Sequence, residues 1–305
     1  MMAAEGGNIV LFTYAGEDPI NIPRNATHVI VAKSEKVIRQ SAFEGHPNII
    51  EVICHEDVER IEERAFNDCP SLRRVIMPGV KIFERLAFSH CDDLTDIECG
   101  KLEIIEELLF CPCNSLVSID LPSVRIVDND AFNGCEALMY VKFGSKLERI
   151  EENVFEECFS LERITIPLKD GIITTHGIFQ LCYDLKHVDL VEGALHETIA
   201  ALHFEEWRQD MRGEINSINR ILPNADVGGE YDYNIDDYSP GEKAQAIRTW
   251  IRSVIRRIVH YQAEHQRLLD EATAALDLHL PGEIVMNNVI TFLELPRHTF
   301  GDNDE

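Results

Sequence analysis

Residues 116–138 read LVSIDLPSVRIVDNDAFNGCEAL, and this stretch contains the unit that organises most of the chain. Its fixed positions are two alternating apolar residues, an isoleucine, an Ala-Phe pair, a cysteine and a leucine, at Ile119, Leu121, Ile126, Ala131, Phe132, Cys135 and Leu138. The same pattern recurs on both sides of the stretch. A unit that recurs at a fixed period indicates a repeat architecture.

The phenylalanine of this unit measures the period. It recurs in steps of 22 to 24 residues, at Phe43, Phe66, Phe88, Phe110, Phe132, Phe155 and Phe179. From Phe66 onward a cysteine follows three residues later, at Cys69, Cys91, Cys113, Cys135, Cys158 and Cys182, and His46 takes that place in the first copy. This period and spacing are typical of a leucine-rich repeat solenoid, in which stacked repeats bury one another's apolar residues.

Each repeat also contains a short strand with alternating side chains. At residues 74–77 we expect Val75 and Met77 to point inward and Arg74 and Ile76 outward. Extending this alternation predicts two outward columns. The first column is His28, Glu51, Arg74, Asp96, Ser118, Tyr140, Arg163 and His187, and the second column is Ile30, Ile53, Ile76, Glu98, Asp120, Lys142, Thr165 and Asp189.

The unit Ile-x-x-x-Ala-Phe-x-x-Cys-x-x-Leu-x-x-Val resembles the BspA-like leucine-rich repeat class, in its intracellular type with a C-terminal helical tail. The resemblance covers residues 28–193 in seven to eight repeats of 22–24 residues. It implies an α/β repeat solenoid, right-handed and curved, that recognises proteins and commonly lacks catalysis.

After Leu190 the apolar spacing becomes helical. We predict an N-terminal cap at 1–27, a first long helix at 194–222, an acidic flexible loop at 223–241, a second long helix and a short terminal helix within 242–295, and a tail at 296–305. Acidic residues flank the first apolar seam and arginines flank the second, at Glu205, Glu206, Asp210 and Glu214 and at Arg248, Arg252, Arg256 and Arg257. The pattern favours a coiled-coil hairpin that follows the solenoid.

Composition limits the classes of partner and location. The chain has 28 Lys and Arg against 54 Asp and Glu, a net charge of −26, so nucleic acid is a poor partner. It has neither a stretch of about 18 apolar residues nor a basic start that would suit a signal peptide. Nine cysteines are an odd number, which does not favour a disulfide framework. We predict a cytoplasmic or nuclear protein without a membrane span.

Sequence motifs give little support to catalysis. The ladder cysteines are separated by whole repeats, whereas zinc sites use closely spaced pairs, so we interpret these thiols as structural. The spacing of His260, Glu264 and His265 does not match a metalloprotease helix. We find no phosphate-binding glycine loop and no nucleophile elbow. We therefore predict no catalytic residue, no cofactor and no metal, and a protein that is not an enzyme.

The outward columns are the predicted protein-binding site, on the concave face that the resemblance implies. The selected residues are Ile30, Glu51, Ile53, Arg74, Ile76, Asp96, Glu98, Asp120, Tyr140, Lys142, Arg163 and Asp189. Arginine and tyrosine beside exposed aliphatic residues are typical of interfaces, although β-branched residues also simply suit strands. Three alternatives stay open: a ubiquitin-ligase adaptor with an F-box-like segment at 280–295, self-association through the helical hairpin, and an enzyme that holds a metal or cofactor.

Overall fold

A computed structural model describes residues 9–191, 205–218, 222 and 242–277. Six repeats contribute one long and one short strand, separated by turns, and three further long strands are not followed by a short one. The long strands are β1 (Leu11–Tyr14), β2 (His28–Val31), β4 (Glu51–Ile53), β6 (Arg74–Ile76), β8 (Asp96–Glu98), β10 (Ser118–Leu121), β12 (Tyr140–Phe143), β14 (Arg163–Ile166) and β15 (His187–Leu190). The short strands are β3 (Val37–Ile38), β5 (Arg60–Ile61), β7 (Ile82–Phe83), β9 (Ile104–Ile105), β11 (Ile126–Val127) and β13 (Arg149–Ile150).

All pairing between these strands is parallel, because consecutive partners are separated by a whole repeat. The long strands form two sheets, in the orders β1-β2-β4-β6-β8 and β10-β12-β14-β15. The short strands form one continuous sheet from β3 to β13. The result is a parallel β-solenoid, as the repeat period predicts, and its ladder already begins at β1, before the first complete repeat.

A phenylalanine column fills the interior. The seven ladder phenylalanines are 3% exposed or less. Adjacent rings stack with centroids 5.0 to 5.8 Å apart, within the range of favourable aromatic pairs. Tyr14 ends the column, with its ring centroid 5.2 Å from that of Phe43, and its hydroxyl oxygen accepts a hydrogen bond from the Arg39 backbone N–H. The phenylalanine that marks the repeat period in the sequence therefore forms the central column of the core.

A cysteine column runs beside the rings. Each ladder thiol donates a hydrogen bond to the carbonyl of a phenylalanine in the repeat before it, with Sγ···O distances of 2.9 to 3.2 Å. For example, the Cys135 thiol donates to the Phe110 carbonyl at 3.1 Å. His46, which replaces the first cysteine, contacts the Pro23 carbonyl at 3.0 Å in the same way. The ladder thiols therefore donate to carbonyls inside the core, and some of these carbonyls, such as that of Phe132, also accept a hydrogen bond from a backbone amide.

The inward position of the short strands differs from the expectation in one repeat. The sequence pattern selects Ile126 as a core residue, but Ile126 is half-buried and its neighbour Val127 is fully buried. Strand register explains the difference, because Val127 lies opposite Ile105 and Ile150, which are both fully buried. Two adjacent apolar residues look equivalent in the sequence, and the neighbouring strands decide which one enters the core.

Within the described residues, two helices follow the solenoid, α1 (Glu205–Ile215) and α2 (Glu242–Asp277). Trp207 stacks on Tyr261 with ring centroids 4.9 Å apart, and the Trp250 indole N–H donates to the Glu214 carbonyl at 3.0 Å. Because residues later in α1 contact residues earlier in α2, the helices run antiparallel. The Arg257 guanidinium binds Asp210 and lies 3.0 Å from Glu214, as the charge pattern predicts.

The first turns of α2 pack against the last repeat. The Lys243 ammonium is buried and donates to the carbonyls of Cys182 and Tyr183, and this burial lowers the pKa of Lys243. Arg248 Nη2 lies 2.8 Å from His176 Nδ1, and Arg252 forms an ion pair with Asp170 at 3.0 Å.

Two of the four arginines expected to flank the helical seam therefore bind the solenoid, because the start of α2 covers the end of the stack. No helix within the described ranges is long and apolar enough to cross a membrane. The predicted loop at 223–241, the terminal helix, the F-box-like segment and the tail lie outside the described residues.

Candidate protein-binding face

The long strands place the two outward columns side by side on one surface, which we call the strand face. In the first column Glu51 lies opposite Arg74, and Arg74 opposite Asp96. In the second column Asp120 lies opposite Lys142, and Thr165 opposite Asp189. The alternation separates these residues from the core, where the inward partners Val52, Val75, Val141 and Ile164 are 2% exposed or less. The twelve selected residues thus share one face.

An aliphatic strip occupies the N-terminal half of the strand face. Ile30, Ile53 and Ile76 occupy in-register positions on β2, β4 and β6. Ile30 is 40% exposed, whereas Ile53 and Ile76 are half-buried. The strip is a continuous apolar surface that solvent reaches along its length.

Beside the strip, three carboxylates surround Arg74. Its Nη2 donates to Glu98 at 2.7 Å, and its Nη1 lies 3.5 Å from Glu51. Its Nε lies 2.9 Å from Asp96, although that contact does not have the geometry of a hydrogen bond. The hydrogen bond to Glu98 and the nearby carboxylates raise the pKa of Arg74. The guanidinium is therefore fixed in place, and its neighbourhood is negative overall.

The C-terminal half of the strand face is polar and carries a shallow depression of about 260 Å³. Ser118, Asp120, Tyr140, Lys142, Arg163 and Thr165 line it, above a floor of Ile119 and Val141. Tyr140 is 42% exposed and its hydroxyl donates to Glu162 at 3.2 Å. Arg163 donates to Asp189 at 2.6 Å. Exposed tyrosine and arginine thus meet over a concave surface.

The strand face is interrupted between β8 and β10, and we call this space the gap. The two strands are not paired, although β9 and β11 of the same two repeats are paired on the short-strand side. Most Cα pairs between β8 and β10 lie more than 8 Å apart, whereas paired strands lie about 4.8 Å apart. Ile97 is half-buried at the gap, while the equivalent residues of the other repeats are 5% exposed or less.

Sequence reasoning missed the gap, since the inward and outward alternation continues through both repeats. One signal exists in the second column, where Glu98 and Asp120 are consecutive. In a closed sheet these two carboxylates would be direct neighbours, and like charges opposite one another destabilise strand pairing. Ile97 and Val117 at the gap, the latter 43% exposed, were not among the selected residues.

The ladder thiols of the solenoid are buried and protonated. Burial raises the pKa of Cys69, Cys135 and Cys182 to about 12, so these thiols are protonated at neutral pH. A thiolate is the form that binds metals and acts as a nucleophile. Among the described residues no group of three or more His, Cys, Asp or Glu side chains could hold a metal ion. The geometry supports the structural interpretation of the cysteine ladder.

Comparison with known proteins gives the following similarities. A family model for the BspA type leucine rich repeat region matches residues 23–125 and 103–209, with six copies. A leucine-rich repeat protein from Bacteroides ovatus is 24% identical with a TM-score of 0.46, over 56% of this chain and 47% of that one. The T. pallidum leucine rich repeat protein is 23% identical with a TM-score of 0.44, over 65% and 86%. No curated protein matches the sequence significantly.

A third similar structure is that of the pneumococcal vaccine antigen PcpA, at 16% identity and a TM-score of 0.36 over 60% of this chain and 66% of that one. The chain spans less than half the length of the Bacteroides ovatus protein. The family model, in contrast, matches more than half of this chain and coincides with the stacked strands. The chain therefore belongs to the BspA-type leucine-rich repeat family, whose repeats are in general non-enzymatic protein-interaction scaffolds.

Proposed function

We propose that this protein is a non-enzymatic scaffold that binds a partner protein through its strand face. The observation that carries the proposal is the aliphatic strip of Ile30, Ile53 and Ile76 beside the fixed charges around Arg74. Accessible aliphatic side chains rimmed by charged residues mark interaction sites. The strip gives a partner an apolar surface to bury, and the surrounding carboxylates favour cationic side chains at its edge.

Tyr140 and Arg163 extend this surface into the C-terminal half. Both residue types are enriched among those that dominate binding energy at interfaces. Both side chains are already oriented by hydrogen bonds, to Glu162 and Asp189 respectively. A side chain that is ordered before binding loses less conformational entropy when the complex forms. The strand face therefore offers a partly pre-organised surface along both halves.

Affinity capture with mass spectrometry tests the proposal. We expect the double variant Ile53→Asp with Arg74→Glu to lose a partner that the wild-type chain retains. The first change places a charge in the aliphatic strip, and the second reverses the charge of the cation beside it. A matched control is Ile82→Asp with Arg60→Glu, which makes the same changes at an in-register pair on the short-strand sheet. Circular dichroism establishes that both variants fold.

Retention of every captured protein by the folded strand-face variant would contradict the proposal. Equal loss in the strand-face and control variants would also contradict it, because the binding would then not depend on this face. The cytoplasmic or nuclear location stays a prediction.

A further inference from the structure

We propose that the gap between β8 and β10 binds an extended segment of the partner protein, which adds a strand between them. The inference rests on the proposed function, since it names the way in which the strand face holds its partner. Four properties of the gap support it: its backbone groups, its width, its apolar wall and its charge.

The backbone at the gap has hydrogen-bonding groups that the described residues leave unused. In the neighbouring repeat, the amides of Met139 and Tyr140 both donate to the Val117 carbonyl, at 2.8 and 3.3 Å. The equivalent amides of Val117 and Ser118 have no such acceptor within the described chain, because β8 is too far away. Unpaired backbone groups at the edge of a strand are a template for another strand.

The gap is wider than the separation of two paired strands. Most Cα pairs across it exceed 8 Å. A strand placed between two others requires a separation of about 9.6 Å, twice the spacing of paired strands. Because β9 and β11 remain paired, the space narrows toward the short-strand side and is open at the strand face. A guest strand therefore enters from the strand face and lies in the plane of the long sheets.

The side chains define the chemistry of the guest. On the inner side Ile97 lacks the complete apolar cover that its equivalents have, and it occupies the same position in its repeat as Ile119. On the outer side the carboxylates of Asp96, Glu98 and Asp120 are all more than half exposed. Since side chains of a strand alternate between faces, the guest presents an aliphatic residue between the isoleucines and a lysine or arginine between Glu98 and Asp120.

This arrangement explains why the gap stays open without a guest. Direct pairing of β8 with β10 would bring Glu98 and Asp120 together, which like-charge repulsion opposes. A cationic residue between them converts that repulsion into attraction and also covers Ile97. The predicted partner segment is therefore extended, with alternating aliphatic and basic residues.

A synthetic seven-residue peptide, Lys-Val-Lys-Val-Lys-Val-Lys with blocked ends and a fluorescent label, tests the inference with the full chain. Fluorescence anisotropy measures its binding. A control peptide carries proline in place of the central valine, which removes one backbone donor and disfavours the strand. We expect the control peptide to bind at least tenfold more weakly. Equal binding of the two peptides would overturn the inference.

Two protein variants locate the binding. Ser118→Pro removes an amide that has no acceptor in the described chain, and Glu98→Lys with Asp120→Lys reverses the charge of the gap. We expect each to weaken binding at least tenfold. A matched control, Glu136→Lys with Asp184→Lys, makes the same change in net charge at exposed positions away from the gap and should alter binding less than about threefold. If the control variant weakens binding as much as the gap variants, the peptide binds through general charge and the inference fails.

Hydrogen exchange separates this inference from the proposed function. In the free chain the amides of Ser118 and Asp120 should exchange much faster than those of Tyr140 and Lys142, and the peptide should slow only the first pair. Slow exchange of Ser118 in the free chain would show a closed or filled gap and overturn the inference. If the Ile53 and Arg74 double variant loses its captured partner while the peptide protects no gap amide, the proposed function stands and the gap inference fails.

Discussion

Replacing Cys135 by serine tests whether the cysteine ladder is a structural device. Cys135 is fully buried, and its thiol donates to the Phe110 carbonyl at 3.1 Å. Because a C–O bond is shorter than a C–S bond, a serine oxygen in the same place lies farther than 3.1 Å from that carbonyl. A hydroxyl hydrogen bond needs about 2.5–3.0 Å. The serine variant therefore buries a hydroxyl whose hydrogen bond is poor.

The cost follows from the burial. A buried polar group with an inadequate partner costs about 1–3 kcal/mol. For a domain of this size each 1 kcal/mol lowers the Tm by about 2–4 °C, so we expect a loss of about 2–12 °C. Cys135→Ala removes the sulfur without adding a hydroxyl, and we expect it to be no less stable than Cys135→Ser.

Differential scanning calorimetry of the full chain measures these shifts. The matched control is Cys111→Ser, because Cys111 is half-buried and lies off the ladder. We expect its Tm to change by less than about 2 °C, in line with substitutions outside the core. An unchanged Tm for Cys135→Ser, or equal losses at both positions, would refute the reasoning. Stoichiometric zinc or iron in the purified wild-type chain would refute the structural role itself.

Two further predictions concern charge and backbone packing. Burial raises the pKa of Glu106 in the folded chain above its ordinary value of 4.5. At a pH above the folded-state pKa, the charged carboxylate therefore destabilises the fold. This cost disappears as the pH falls through the folded-state pKa toward 4.5, because the folded chain then binds the proton. Glu106→Gln keeps an acceptor for the Arg85 amide and should raise the Tm at pH 8. The increase in Tm should become smaller as the pH is lowered. An increase that does not depend on pH would contradict the role of the Glu106 charge. Gly144→Ala places a Cβ 2.0 Å from the Pro122 carbonyl oxygen and should lower the free energy of unfolding, measured in urea, by about 1–3 kcal/mol. The control variant Gly100→Ala adds a Cβ that has no other atom within 4 Å and should leave the free energy of unfolding unchanged. Equal losses of stability in the two variants would contradict the packing.

The interior of the solenoid could be predicted because residues at the same place in the repeat are neighbours in space. Phe88 and Phe110 are separated by 22 positions in the chain, yet their rings stack. A column of one residue type in the sequence therefore becomes a column in the core. The prediction fails where two adjacent residues are both apolar, as at Ile126 and Val127, since polarity alone does not give strand register.

The gap and the end of the stack could not be predicted in the same way. Alternation states which side of a strand a residue faces, but it does not state how far apart two strands lie. Charge at Arg248 and Arg252 likewise predicts an acidic or polar neighbour without saying whether that neighbour is a helix or the last repeat. In both places the deciding interactions join residues that do not occupy equivalent positions in the repeat.

The attachment of α2 has a consequence for the length of the stack. Identical units that each bind the next have no intrinsic last member, so an uncovered final repeat could accept another chain as readily as its own. At this end Lys243 already occupies the Cys182 and Tyr183 carbonyls, and Arg252 holds Asp170. The start of α2 therefore caps the last repeat and leaves the Cys182 and Tyr183 carbonyls unavailable to a repeat of another chain.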